Sequence, residues 1–173
     1  MRDPDPRTVH RARQGDLSAF EELVRTFQAD VFGFACHLTR DRTMAEDVTQ
    51  ETFLRAFRFL HGFRGDEKFG SWLFSIARNC SMDALRRQRP AFPHPLEETS
   101  GSVADASARA ELDAALRSVS TEHREAFLLV EVFGLSYQET ADVLGVAVGT
   151  VKSRMFRARQ ALCGAIADVE ELP

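Results

Sequence analysis

The chain has 173 residues, 44% of them hydrophobic and 28% charged, with a net charge of -4. That is globular composition, sufficient for one domain or two small ones, and it excludes collagen-like, disordered and disulfide-stapled classes. A membrane span needs roughly 20 consecutive apolar residues, whereas the most apolar stretch, Ala126 to Leu135, is broken by Glu131.

The first segment, Met1 to Arg13, is polar and has no apolar run of the kind a secretory signal requires, which predicts a cytoplasmic protein. Leu23, Phe27, Val31, Phe34 and Leu38 then advance by three or four, one buried helical stripe. A second helix is expected to open at Thr43, with Glu46 completing a capping box, and to run to about Leu60. Its inner side carries Val48, Thr52, Ala56 and Leu60; Asp47, Gln50, Leu54 and Arg58 lie opposite, so an apolar Leu54 stands among polar residues. A third helix from about Ser71 buries Leu73, Ile76, Ala77, Cys80 and Ala84 and turns Ser75, Arg78, Asn79, Met82, Arg86 and Arg89 outward.

Pro90, Pro93, Pro95 and Gly101, among Ser and Thr, mark a linker. Helical patterning resumes through Leu112, Ala115, Leu116 and Val119, then through Ala126, Phe127 and Val130 until Gly134. Ser136 to Glu139 reads as a capping box, Ala141 and Leu144 follow on a short helix, and Gly145 suits a left-handed turn. On the next helix Val151, Met155, Ala158 and Leu162 form a narrow stripe. Lys152, Ser153, Phe156 and Gln160 lie on the far side, flanked by Arg154, Arg157 and Arg159. The fold class is therefore all-α: two small helical domains, 1–89 and 111–173, joined by a flexible linker over 90–110, the second containing a helix-turn-helix.

Charge is distributed unevenly along this plan. Residues 1–90 carry 15 Lys or Arg against 13 Asp or Glu, residues 91–120 carry 2 against 5, and residues 121–173 carry 5 against 8. Two compact basic runs stand on an acidic background: Arg78, Arg86, Arg87 and Arg89, and Lys152, Arg154, Arg157 and Arg159. Either run alone reads as a solvated helix face. The second, however, borders an outward edge able to hydrogen-bond bases and touch a thymine methyl, the build of a recognition helix. Beside the first run lies a glycine-containing loop edged by aromatics, Phe63 to Gly70, with Arg64, Lys68 and Phe69, of a kind that holds an unpaired base, although Phe69 and the following Trp72 read more readily as core residues. Cys36, Cys80 and Cys163 and the five histidines are scattered, and no catalytic, metal or nucleotide-binding motif occurs, so neither cofactor nor enzymatic activity is expected.

Taken together, these residues resemble the extracytoplasmic-function (group IV) sigma factors of bacterial RNA polymerase. Ala45 to Ala56 is similar to the family's core-polymerase docking helix, Phe69 to Arg87 to its promoter-melting segment, and Gly149 to Arg159 to its −35-reading helix. The resemblance implies docking on core polymerase through Asp47, Gln50, Glu51, Leu54, Arg55 and Arg58. It implies a melted −10 strand held near Phe63, Arg64, Lys68, Phe69, Ser75, Arg78, Asn79, Met82 and Arg86, and duplex −35 DNA met by Thr150, Lys152, Ser153, Arg154, Phe156 and Arg157. It further implies a specificity subunit, monomeric when free, with no membrane insertion, and commonly an anti-sigma partner. Two departures stand out: Ser120 replaces a frequent Pro but can still cap the next helix, and Ala147 replaces a frequent Ser, so a capping bond is missing. An autonomous helix-turn-helix regulator is the alternative reading, although no dimerisation helix supports it.

Overall fold

The computed structural model describes residues 4–65, 68–87, 116 and 119–170, and of residues 165–170 the backbone alone. The described residues contain helices and no strand, as the periodicity predicts, and the chain divides into two compact units, Met1–Leu96 and Glu97–Pro173. The expected linker over 90–110, together with Leu112, Ala115, Arg89 and the loop residues Asp66 and Glu67, lies outside the described residues.

Unit 1 contains α1 (Pro6–Arg13), α2 (Leu17–Thr39), α3 (Arg42–Phe59) and α4 (Phe69–Arg87), with a 3₁₀ turn at Leu60–Gly62. Asp5 caps α1, accepting the Arg7 N–H at 2.9 Å, and Pro6 takes the first helical position, where no N–H is needed. Asp16 caps α2 by accepting the N–H groups of Ser18 at 3.0 Å and Ala19 at 3.1 Å. The α2 stripe of Leu23, Phe27, Val31, Phe34 and Leu38 is fully buried and faces α3 and α4. Phe34 meets Phe74 edge-on at 5.3 Å and Phe27 meets Phe69 at 5.4 Å, so aromatic rings fasten α2 to α4. On α3, Val48, Thr52 and Ala56 are buried and Leu60 follows them inward, as expected.

The start of α3 differs from the sequence reading. Its cap is Asp41, whose carboxylate accepts the Met44 N–H at 3.0 Å, while Thr43 is exposed within the first turn and Glu46 pairs with Arg42 at 3.3 Å. Arg40 takes a left-handed φ of 56° to end α2, and Thr39 Oγ1 binds the Asp41 backbone on both sides. This tight reversal starts α3 before Thr43.

In unit 2, buried Leu116 and Val119 precede α5 (Thr121–Phe127), which widens into a π-helical turn over Leu128–Val132; α6 (Tyr137–Leu144) and α7 (Val148–Glu170) complete it. The wider turn changes which residues face inward: Leu128, Leu129 and Phe133 are buried, whereas Phe127 and Val130, expected inside, are half-buried. Ser120 occupies the cap position of α5 but its hydroxyl makes no capping bond, contrary to expectation; its carbonyl accepts the Arg124 N–H at 2.9 Å. Arg124, also buried, reaches back to the Leu116 carbonyl at 3.4 Å and to the Thr121 hydroxyl at 3.2 Å.

Capping generates two predictions. Hydrogen bonds from the Ser18 hydroxyl, the Arg11 guanidinium and then the Ala19 N–H hold the Asp16 carboxyl well below the usual carboxylate range. A depressed folded-state pKa gives stability that is present above the unfolded value near 3.9 and lost as pH falls through the folded one. Asp16→Ala is therefore expected to lower Tm at pH 7, by a margin that narrows steadily below about pH 4; thermal melts across that range measure it. At the other end of the chain the Ala147 carbonyl already accepts the Thr150 N–H at 2.9 Å and the Val151 N–H at 3.2 Å, so a hydroxyl there is placed to cap α7. Ala147→Ser is expected to add up to about 1 kcal/mol, read as a rise in Tm.

Candidate functional site

The helix-turn-helix is built by caps at both ends of α6. Ser136 Oγ accepts the Glu139 N–H at 3.2 Å while the Glu139 carboxylate accepts the Ser136 N–H at 2.7 Å, closing the expected capping box. Gly145, at φ 66°, takes the left-handed end position, where a Cβ would be strained, and the Val146 N–H closes on the Ala141 carbonyl at 3.1 Å. The chain enters α7 two residues later.

On α7, Val151, Met155, Ala158 and Leu162 are buried, matching the expected stripe. Lys152, Ser153, Phe156, Arg157 and Gln160 are exposed. Phe156 is 62% exposed, unusual for a ring of that size and consistent with a surface that meets another molecule. Thr150 and Arg154 are half-buried at its margins, and the Ser153 hydroxyl donates to the Thr150 carbonyl at 2.9 Å. Arg159, the last cation of this run, is engaged within the unit: its Nη2 bonds the Glu131 carboxylate, and this bond, with the nearby Tyr137 hydroxyl, raises its pKa.

In unit 1 the outward side of α4 presents Asn79 and Arg86, both exposed, with Ser75, Arg78 and Met82 half-buried. The Ser75 hydroxyl donates to the Trp72 carbonyl at 2.7 Å. Arg64 and Lys68 are exposed in the preceding loop, which turns at Gly65 with φ 82°. Phe63 and Phe69 correct the expectation of a base-holding role. Both rings are buried and pack against each other at 5.9 Å and against Trp72 at 5.1 and 5.6 Å, so neither is open for a base to stack upon. They anchor the two ends of the loop in the core. Phe59, which sequence reasoning passed over, is 59% exposed at the end of α3; its place between inward Ala56 and Leu60 was the available signal.

On α3, Asp47, Gln50, Leu54 and Arg58 are exposed together, Leu54 at 46%. Glu51 and Arg55, expected at the same partner surface, belong to an internal link. Arg55 Nε donates to Glu51 at 2.6 Å and Nη1 to Asp83 of α4 at 3.2 Å, and its pKa is raised chiefly by the Glu51 bond. Beside Leu54, α2 and α3 enclose an open groove of about 770 Å³, lined by Phe20, Phe32, Gln50, Phe53, Leu54 and Phe57 among others. Phe20 and Phe57 meet edge-on at 5.1 Å. The sequence reading missed this groove, although Phe20, Val24 and Phe32 repeat at helical spacing on α2. Among the described residues no helix is long and apolar enough to cross a membrane.

Two family models match the chain: Sigma-70 region 2 over residues 23–91 and Sigma-70, region 4 over residues 109–162. The chain is 35% identical to the RNA polymerase sigma-H factor of Pseudomonas aeruginosa, with 92% of each chain covered. It is 37% identical to the ECF RNA polymerase sigma factor SigC of Mycobacterium tuberculosis, covering 92% of this chain and 88% of that one. Among solved structures, CnrH in complex with the cytosolic domain of CnrY matches at 30% identity and a TM-score of 0.73, covering 95% of this chain and 97% of that one. The sigma factor RpoE of Bartonella quintana, in complex with the anti-sigma factor NepR, matches at 27% identity and a TM-score of 0.69, covering 86% and 96%. With both family models matched in order and relatives at 35–37% identity over nearly the whole chain, this chain belongs to the extracytoplasmic-function sigma factors of RNA polymerase.

Proposed function

We propose that the two units divide the work of promoter recognition, unit 1 docking on core polymerase and holding the melted −10 strand, and unit 2 reading the −35 duplex. The observation that carries this reading is α7: a fully buried stripe opposite an exposed Lys152, Ser153 and Phe156, on the second helix of a helix-turn-helix. In that arrangement Lys152 and Arg157 meet phosphates, Ser153 offers a hydroxyl to base edges and Phe156 an apolar surface for a thymine methyl. Asn79 supplies an amide for the edge of an unpaired base, and Arg86 on the same helix with Arg64 and Lys68 in the loop before it supply cations for the strand's backbone. Gln50 and Leu54, opening on the apolar groove between α2 and α3, form the polymerase-docking face with Asp47 and Arg58.

In this reading the chain performs no chemistry. Polymerase supplies the reaction, in the cytoplasm where it works. Neither unit is strongly cationic, with 15 basic against 13 acidic residues over 1–90 and 5 against 8 over 121–173, so tethering on polymerase raises the effective concentration of one contact once the other is made. The RpoE–NepR complex supports an anti-sigma partner for this chain too, since its sigma component shares the fold at 27% identity.

Run-off transcription with core polymerase tests the reading: initiation at defined start sites is expected only when this chain is added. Unaided, specific duplex binding with no effect on transcription would favour an autonomous regulator instead. Within the holoenzyme, Lys152→Ala is expected to weaken promoter use through −35 roughly tenfold, in line with loss of about 1–2 kcal/mol at one contact. Asn79→Ala should leave −35 binding intact and reduce permanganate reactivity of −10 thymines; equal loss of both activities in each variant contradicts the division.

A further inference from the structure

Lys152 and Arg159 stand seven residues apart on α7, on one edge of the helix and roughly 10 Å apart along its axis. A duplex contacted by Lys152 would ordinarily find Arg159 as its next phosphate ligand. Yet Arg159 Nη2 is bonded to the carboxylate of Glu131 in the π-helical turn. Both side chains remain accessible, Arg159 at 55% and Glu131 at 39%, so burial does not force the pairing.

Resting on the reading of α7 as the −35 helix, we propose that Glu131 is a footprint-limiting residue: it holds Arg159 off the DNA backbone and limits the phosphate contacts of α7 to Lys152 and Arg157. The consequence follows from counterion release. Each phosphate neutralised adds about 0.9 to the slope of log affinity against log salt, and that term carries no sequence information. Withholding one cation therefore lowers affinity for all DNA alike and leaves a larger share of the binding energy to Ser153 and Phe156, which contact bases.

The test is the salt dependence with which the holoenzyme, the full chain on core polymerase, binds a fluorescent promoter duplex carrying the −35 element, followed by anisotropy at low to moderate NaCl. Lys152→Ala is expected to make the slope shallower by about 0.9 and serves as the reference for a true phosphate contact. Glu131→Gln should steepen it by about the same amount as Arg159 is released, Arg159→Met should leave it unchanged, and the double variant should return it to the wild-type value. A slope for Arg159→Met as shallow as that for Lys152→Ala, or no steepening in Glu131→Gln, overturns the proposal while leaving the −35 reading intact. An unchanged slope in Lys152→Ala sinks the −35 reading and this inference with it. A purely structural pair would instead weaken binding in all three variants at constant slope and lower Tm together, which also overturns it.

Discussion

Val151, Met155, Ala158 and Leu162 bury one edge of α7 so completely that the helix has no rotational freedom. A shift of one residue turns a helix by 100°, which would bury Lys152 without a partner and expose Met155. The core therefore decides which side chains α7 turns outward. The caps on α6 fix the remaining variable, the angle at which α7 leaves the turn, through Ser136 and Glu139 at one end and the left-handed Gly145 at the other. Base recognition depends on side chains held within a fraction of an ångström, and here that rigidity comes from a buried apolar stripe and a reciprocal pair of hydrogen bonds.

Unit 1 solves a similar problem with aromatics. Phe63, Phe69 and Trp72 form a packed cluster beneath the loop that joins α3 to α4, and Phe27 ties that cluster to α2. The loop's cations, Arg64 and Lys68, stand exposed above this floor. On the neighbouring side, the link from Glu51 through Arg55 to Asp83 joins α3 to α4. That link leaves Asp47, Gln50, Leu54 and Arg58 as the exposed, mixed polar and apolar side of α3. Residues adjacent in sequence thus divide sharply between internal links and exposed surface.

Much of this is legible in the chain itself. The stripes on α2, α3 and α7 follow a 3.6-residue period, and the capping box at Ser136 and the turn at Gly145 carry their own local chemistry. What escapes the sequence depends on tertiary context. The cap at Asp41 follows from a left-handed Arg40, a conformation that a non-glycine residue seldom announces. The π-helical turn displaces Phe127 and Val130 from the core, and no periodic pattern forecasts where a helix widens. Phe63 and Phe69 edge a basic loop and resemble stacking platforms; the core reading that the sequence favours for Phe69 and Trp72 holds for Phe69, and packing extends it to Phe63. Arg55 and Arg159 read as outward cations in the sequence, and both are instead occupied by carboxylates far along the chain, Asp83 and Glu131.

The central claim is that this chain acts only on a larger machine, reached through the face of α3. Its most direct measurement is the affinity of the full chain for core RNA polymerase, compared between wild type and Leu54→Asp. Leu54 is 46% exposed, so a carboxylate there leaves the fold and its Tm unchanged. At the interface the same substitution puts a charge where an apolar side chain would be buried, which weakens association by about tenfold or more. Equal affinity for the two proteins, or no association by either, contradicts the account.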